Sequence, residues 1–148
     1  MFRSFMPDAL VEARAAARRG EVPVGAVIVR GETVLAAAGN RTRELTDPTA
    51  HAEMLAIRAA CAAFGSERLD GCAIWVTLEP CAMCAQAIAH TRLARLHFGA
   101  SDPKSGGVLH GARVFSHAQT HHVPEIHDGI DADACGALLR DFFAVRRT

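Results

Sequence analysis

Hydrophobic positions along the chain change period several times, and the changes mark out elements. Residues 6–19 carry apolar side chains at Met6, Leu10, Ala13 and Ala17, one stripe of a helix with Pro7 near its start and Gly20 after its end. Two short apolar runs, VGAVIV (24–29) and TVLAAAG (33–39), flank Arg30-Gly31-Glu32 and predict a hairpin. A polar connection leads to a second helix from about Thr49 to Phe64, with Met54, Ile57, Cys61 and Phe64 as its inward stripe. CAIWVT (72–77) predicts a buried strand, EPCAMCAQAIAH a helix entered through Pro80, and LARLHFGA another strand. A Gly-rich loop follows, residues 113–118 are ambiguous, and HHVPEIH forms a short strand that Pro124 assigns to a sheet edge. A closing helix from Asp131 to about Arg147 is expected to bury Leu138, Leu139, Phe142 and Val145.

The order α-β-β-α-β-α-β-(β)-α predicts an α/β sandwich, a mixed sheet covered by helices. At 148 residues the chain is expected to form one domain, 1–148, with a sizeable core. No apolar run approaches the roughly 18 residues of a membrane span. The Arg- and Ala-rich start resembles a transit peptide until Asp8 and Glu12 break that pattern. A soluble, cytoplasmic protein is expected.

Charge excludes one easy inference. Sixteen basic residues, of which only Lys104 is a lysine, balance sixteen acids, so no global field favours nucleic acid. Any such partner must be recognised locally. Five cysteines without a paired framework suit a reducing compartment and turn attention to metal binding.

Cys81 and Cys84 open a predicted helix, where unpaired N–H groups and the positive dipole end favour thiolates. Alone, Cys-x-x-Cys fits a redox pair, half of a structural zinc site, or chance. His51-x-Glu53 changes this, because it also opens a helix. Residues two apart do not face each other along a helix flank, yet a first turn aimed at a site can bring both to it. His51, Cys81 and Cys84 would then supply three ligands to a tetrahedral Zn2+ and leave one position open, the catalytic pattern. Unligated Glu53 would move protons between water and substrate. A structural site would need a fourth ligand, for which Cys72 and His90 are the nearest candidates, one leading away along a strand and one two turns down the helix. Cys61 and Cys135 suit packing. H-x-E…P-C-x-x-C is the general signature of the zinc nucleobase deaminases, a class that includes the tRNA deaminases.

EVPVGAVIV, GNRTRE…DPTAHAE, VTLEPCAMC, FGASDPKSGG and DFFAVRR together resemble the bacterial tRNA-specific adenosine deaminases, in register from about residue 5 to 147. The resemblance implies the three-layer α/β/α cytidine deaminase-like fold with a mixed five-stranded sheet, a homodimer, and conversion of adenosine to inosine at the wobble position of a tRNA anticodon stem-loop. By position it implies Glu53 as proton shuttle, one Zn2+ per subunit on His51, Cys81 and Cys84, and Asn40 bonded to the flipped nucleoside. Val24, Ala52 and Pro80 would wall the base pocket, Asp102 would hold ribose and Lys104 a phosphate. His121 and His122 would meet neighbouring nucleotides, and Phe143, Arg146 and Arg147 would lie on an RNA-facing helix. This chain departs from the pattern at Ser101, where relatives carry arginine, at HHVPE for NHRVE, and at Trp75 for a strand tyrosine. The same chemistry on a free base or nucleoside, such as guanine or cytidine, and a zinc-organised binding module without catalysis are the competing readings.

Overall fold

The computed structural model describes residues 3–146. The chain runs α1 (Met6–Arg18), β1 (Gly25–Arg30), β2 (Thr33–Gly39), α2 (Ala52–Phe64), β3 (Ala73–Leu78), α3 (Ala82–Thr91), β4 (Arg95–Ala100), β5 (Glu125–His127) and α4 (Ala132–Arg146). A single 3-10 turn, Val114–Ser116, occupies the segment whose pattern was ambiguous. The strands form one mixed sheet in the order β2-β1-β3-β4-β5. β1 is antiparallel to β2 and β3, whereas β3, β4 and β5 are mutually parallel neighbours. Short β5 is the edge that Pro124 announces.

Alternation along the strands builds the three layers. Ala26, Ile28, Ile74, Val76, Leu96 and Phe98 face α2 and α3. Val27, Val29, Ala73 and Trp75 face α1 and α4. The expected α/β/α sandwich is the observed architecture.

Close packing sets which helix residues go inside. Gly25 and Gly39 are register partners on β1 and β2. A Cβ on Gly25 would collide with the Ala9 carbonyl oxygen, and one on Gly39 would lie 2.7 Å from the Glu12 carbonyl oxygen. The α1 backbone therefore rests almost directly on the sheet backbone, which explains its alanines. Met6, Ala9, Leu10, Ala13 and Ala16 are buried there, with Ala17 only half-buried.

The same logic corrects the predicted stripe of α2. Ala52, Glu53, Ala56, Ile57 and Ala60 form its buried face. Larger Met54, Cys61 and Phe64 are half-buried on its flanks, while Ala56 and Ala60 let the helix approach the sheet closely around Ile57. On α4, Cys135 and Phe142 are buried and Leu138 and Leu139 partly so. Val145 is 69% exposed, contrary to expectation. Burial stops one turn earlier at Phe142, where the Arg146 guanidinium closes over the ring at 3.5 Å.

Trp75, His97 and His127 stack across β3, β4 and β5, with centroids 3.8 and 4.9 Å apart. Burial, reinforced by the positive charges of His127 and Arg95, pushes the His97 imidazole down to about 4. An unfolded histidine titrates near 6.5. Stability from neutral His97 is therefore intact above about pH 6.5 and is lost as pH falls towards the folded value, about 3 kcal/mol by pH 4. Urea unfolding between pH 7 and pH 4 should show this component in the wild type, and His97→Phe should remove it.

Candidate active site

Two helices begin at the carboxyl end of β3 and beside the exit of β2, and their first residues meet. His51 is the N-cap of α2 in extended conformation, and Cys81 occupies the same position on α3. Neither side chain caps its own helix. Both are free to point outward from the helix end. Cys84, in the first turn of α3, is buried beneath them.

His51 Nδ1 lies 3.6 Å from Cys81 Sγ and 3.5 Å from Cys84 Sγ. The three donor atoms all fall within 4.8 Å of one another, so one metal ion could be held between them. Among the described residues no fourth histidine, cysteine or carboxylate joins the group. Cys72 lies at the other end of β3 near the Asp70 carbonyl, and His90 near the far end of α3. All five cysteines are free.

Glu53, also in the first turn of α2, is 4% exposed. Burial pushes its carboxyl up to about 7, against the pull of its own backbone N–H. Such a group can both accept and return a proton near neutral pH. Next to it, the hydrogen bond from the Cys84 thiol draws Cys81 down to about 4, with burial opposing and His51 assisting. The same shared proton, and then burial, push Cys84 up. His51 is raised by its hydrogen bond with Cys81. One thiolate is thus already favoured at the donor cluster.

These groups open onto a cavity of about 220 Å³ whose walls include Val22, Val24, Asn40, Thr42, Leu78 and Asp102. A second cleft of about 500 Å³ shares Val22, Leu78, Asp102 and Ser105 with it and extends to Ser101, Lys104, Leu139 and Phe143. Asn40 leaves β2 with its N–H bonded to the Val24 carbonyl at 3.1 Å and its own carbonyl accepting from Arg19 at 3.2 Å. Its amide nitrogen reaches the Thr42 hydroxyl at 3.4 Å. Asp102 Oδ1 accepts the N–H groups of Lys104 and Ser105 and shapes its own turn.

Not every residue singled out from sequence comes to the pocket. Ala52 is fully buried in the core and Pro80 is buried with its carbonyl accepting the Gly107 N–H at 2.8 Å, so both flank the cavity without lining it. His122 Nε2 is 2.6 Å from the Leu93 carbonyl oxygen, and the His121 carbonyl accepts from Arg92. That places the pair beyond the carboxyl end of α3, a helix of 10 residues, about 15 Å from its metal-binding end. Phe143 is 43% exposed at the second cleft, as its place off the core stripe requires. Arg146 folds back on Phe142, and Arg147 lies outside the described residues.

Sequence reasoning missed two buried acids. Glu21 accepts the N–H groups of Arg43 and Glu44 and holds the segment after Asn40. Glu79 accepts from the Asp102 loop and sits beside Cys81. For Glu79 the available signal was an acid wedged between a buried strand and the proline that opens a helix, whereas Glu21, between α1 and β1, carried no such signal.

A mixed sheet of this order, with paired helix N-termini presenting a His/Cys/Cys cluster beside a buried glutamate, defines the deaminases of cytidine deaminase-like fold. The MafB19-like deaminase family model matches residues 2–147. A solved tRNA:A34 deaminase, studied for A-to-I editing at the wobble position of transfer RNA, superposes with a TM-score of 0.90 at 53% identity, covering 91% of this chain and 98% of that one. A guanine deaminase from Nitrosomonas europaea shares the fold at 24% identity, with a TM-score of 0.80 over 94% of this chain and 82% of that one. The tRNA-specific adenosine deaminase of Agrobacterium fabrum is 53% identical over 143 residues, 97% of this chain and 94% of that protein. At that identity over almost its whole length, the chain belongs to the tRNA-specific adenosine deaminases.

Proposed function

We propose that the protein hydrolytically deaminates adenosine to inosine at the wobble position of a tRNA anticodon, with zinc held by His51, Cys81 and Cys84. The donor spacing supports the metal. Bonds of about 2.0 Å to nitrogen and about 2.3 Å to sulfur, meeting near the tetrahedral angle, separate the donors by about 3.6 Å. The separations here are 3.6 and 3.5 Å. Bound there, zinc would act as a Lewis acid that makes water nucleophilic near neutral pH.

The protein's own groups do the rest. Glu53 takes one proton from the attacking water and delivers it to the purine ring nitrogen, then takes the second from the hydroxyl now bonded to C6 and passes it to the amino group, so that ammonia leaves and the C6 carbonyl forms. Asn40 hydrogen-bonds the nucleoside, with Val24 against the base. Ala52 and Pro80 support that pocket from behind. Asp102 accepts from the ribose 2′-hydroxyl, a group that distinguishes RNA. Lys104 meets a phosphate, Phe143 offers an aromatic face for a base, and Arg146 and Arg147 add positive charge for the RNA backbone. His121 and His122, beyond the carboxyl end of α3, meet nucleotides beside the target rather than the target itself.

One observation carries the choice of a polynucleotide: the small pocket continues into a larger cleft edged by Lys104 and Phe143. A free base has no need of that extension. We also propose a homodimer, consistent with exposed apolar Met83 and Leu109, and a cytoplasmic location; no helix among the described residues is long and apolar enough to cross a membrane. Incubating the zinc-loaded protein with an anticodon stem-loop carrying a wobble adenosine, and separately with free guanine, cytidine and adenosine, discriminates the substrate classes. Inosine should form in the RNA alone. Turnover of a free substrate with none on the RNA would overturn the assignment.

A further inference from the structure

Glu79 is 2% exposed and stands immediately before the Pro80-Cys81 step. Its carboxylate is bonded to the loop that follows β4. Oε1 accepts the Asp102 N–H at 3.0 Å and faces His110 Nδ1 at 2.8 Å. Oε2 accepts the N–H groups of Val108, Leu109 and His110 at 3.1, 2.9 and 3.1 Å. Five hydrogen bonds from both ends of one loop converge on a single side chain. The loop can come this close only because it is glycine there: a Cβ on Gly106 would lie 2.5 Å from the Glu79 carboxyl, and one on Gly107 would lie 2.5 Å from the Ala82 nitrogen.

We propose that Glu79 is a positioning residue: it fixes the loop bearing Asp102, Lys104 and Ser105 against the wall of the reaction pocket and so pre-forms the rim on which the RNA backbone binds. Its consequence for catalysis rests on the RNA reading above, whereas its effect on the loop does not. One side chain joins the two functions, since the polypeptide leads from Glu79 to Cys81 in two residues while the carboxylate holds the substrate-facing rim. The other bonds of Asp102 stay inside its own turn, with its side chain accepting from Lys104 and Ser105 and its carbonyl from Gly106, so the bond to Glu79 is the one that ties its N–H to the strand end.

Chemistry makes the test specific. A glutamine at this position has one acceptor oxygen and one donor NH2. Turned to keep the three amides of 108–110, it presents NH2 to His110, whose neutral ring can accept, and to the Asp102 N–H, which cannot. Glu79→Gln should therefore release the Asp102 amide first. Residue-resolved amide exchange should show Asp102 exchanging at least about tenfold faster in this variant, as expected for loss of a hydrogen bond to a charged acceptor. The amides of β3 and α3 should keep their protection and the zinc content should stay unchanged. With the anticodon stem-loop, KM should rise by about tenfold or more while kcat changes less than about threefold, a uniform-binding loss.

His110→Ala is the milder companion, since it removes one of the five bonds and leaves Oε2 engaged; faster exchange should be confined to residues near 110. Unchanged Asp102 protection in Glu79→Gln, or a fall in kcat alone at constant KM, overturns the positioning role. Altered Asp102 exchange in a protein that edits no RNA would overturn the substrate assignment and leave the loop role standing.

Discussion

Replacing Glu53 with alanine should yield a folded, zinc-containing protein that has lost nearly all deamination. Glu53 is buried at the pocket without belonging to the donor cluster, and its carboxyl, unlike that of Glu79, is not taken up by the amides of the loop after β4. General acid–base groups contribute about 10²- to 10⁴-fold each, and Glu53 serves at both water attack and amine departure, so a loss of at least about 10³-fold is expected. Stability should move the other way. A carboxyl raised to about 7 by burial is held in the fold at a cost, and removing it relieves that cost. The variant should melt no lower than the wild type. Elemental analysis, thermal unfolding and single-turnover kinetics on the stem-loop check the three parts. An active Glu53→Ala protein would remove it from the proton-transfer role.

Replacing Cys81 should produce a different failure. Cys81 contributes a donor atom from the N-cap of α3, so its loss affects both the metal and the junction of two helices. Structural zinc contributes on the order of 10 kcal/mol to folding in small domains, which bounds what this site could supply. Here a full hydrophobic core lies beneath the site, and the expected result is a destabilised chain rather than an unfolded one. Cys81→Ala should fall from one zinc per subunit to almost none, melt well below the wild type, and show no activity. A variant retaining full zinc would mean that the ligand set is wrong.

The contrast between these two variants reflects how local the catalytic signal is. His51, Glu53, Cys81 and Cys84 were legible because their spacing acquires meaning at helix N-termini, which proline, polar caps and following apolar runs reveal. The strands were legible for a related reason: alternation assigns Ile28 and Val29 to opposite faces before any partner is known. Helix faces were less so. Met54 and Phe64 outrank Ala56 and Ala60 in hydrophobicity, yet the alanines face the sheet because the layers are close. Which face of α2 meets the sheet is decided by the layer it packs on, which no periodicity within α2 encodes.

Glu79 shows the same limit at the site. Its role depends on residues 102–110 returning to it, at a separation of 23 to 31 positions. A sequence window around EPCAMC contains the carboxylate but none of its five partners. His121 and His122 are the converse case. Two adjacent histidines in a loop are ordinarily solvated, and only the family resemblance set them beside the target nucleotide; the fold ties His122 to the Leu93 carbonyl, at the end of α3 opposite Cys81 and Cys84.

The central claim is that the zinc cluster, Glu53 and the Asp102 loop together convert a wobble adenosine in RNA. Position-resolved inosine mapping on tRNA treated with the purified, zinc-loaded protein tests it most directly. Inosine should accumulate at the anticodon wobble position, require Glu53, and be absent from other adenosines of the same tRNA. Inosine that never appears at that position, while the protein is folded and carries its metal, would contradict it.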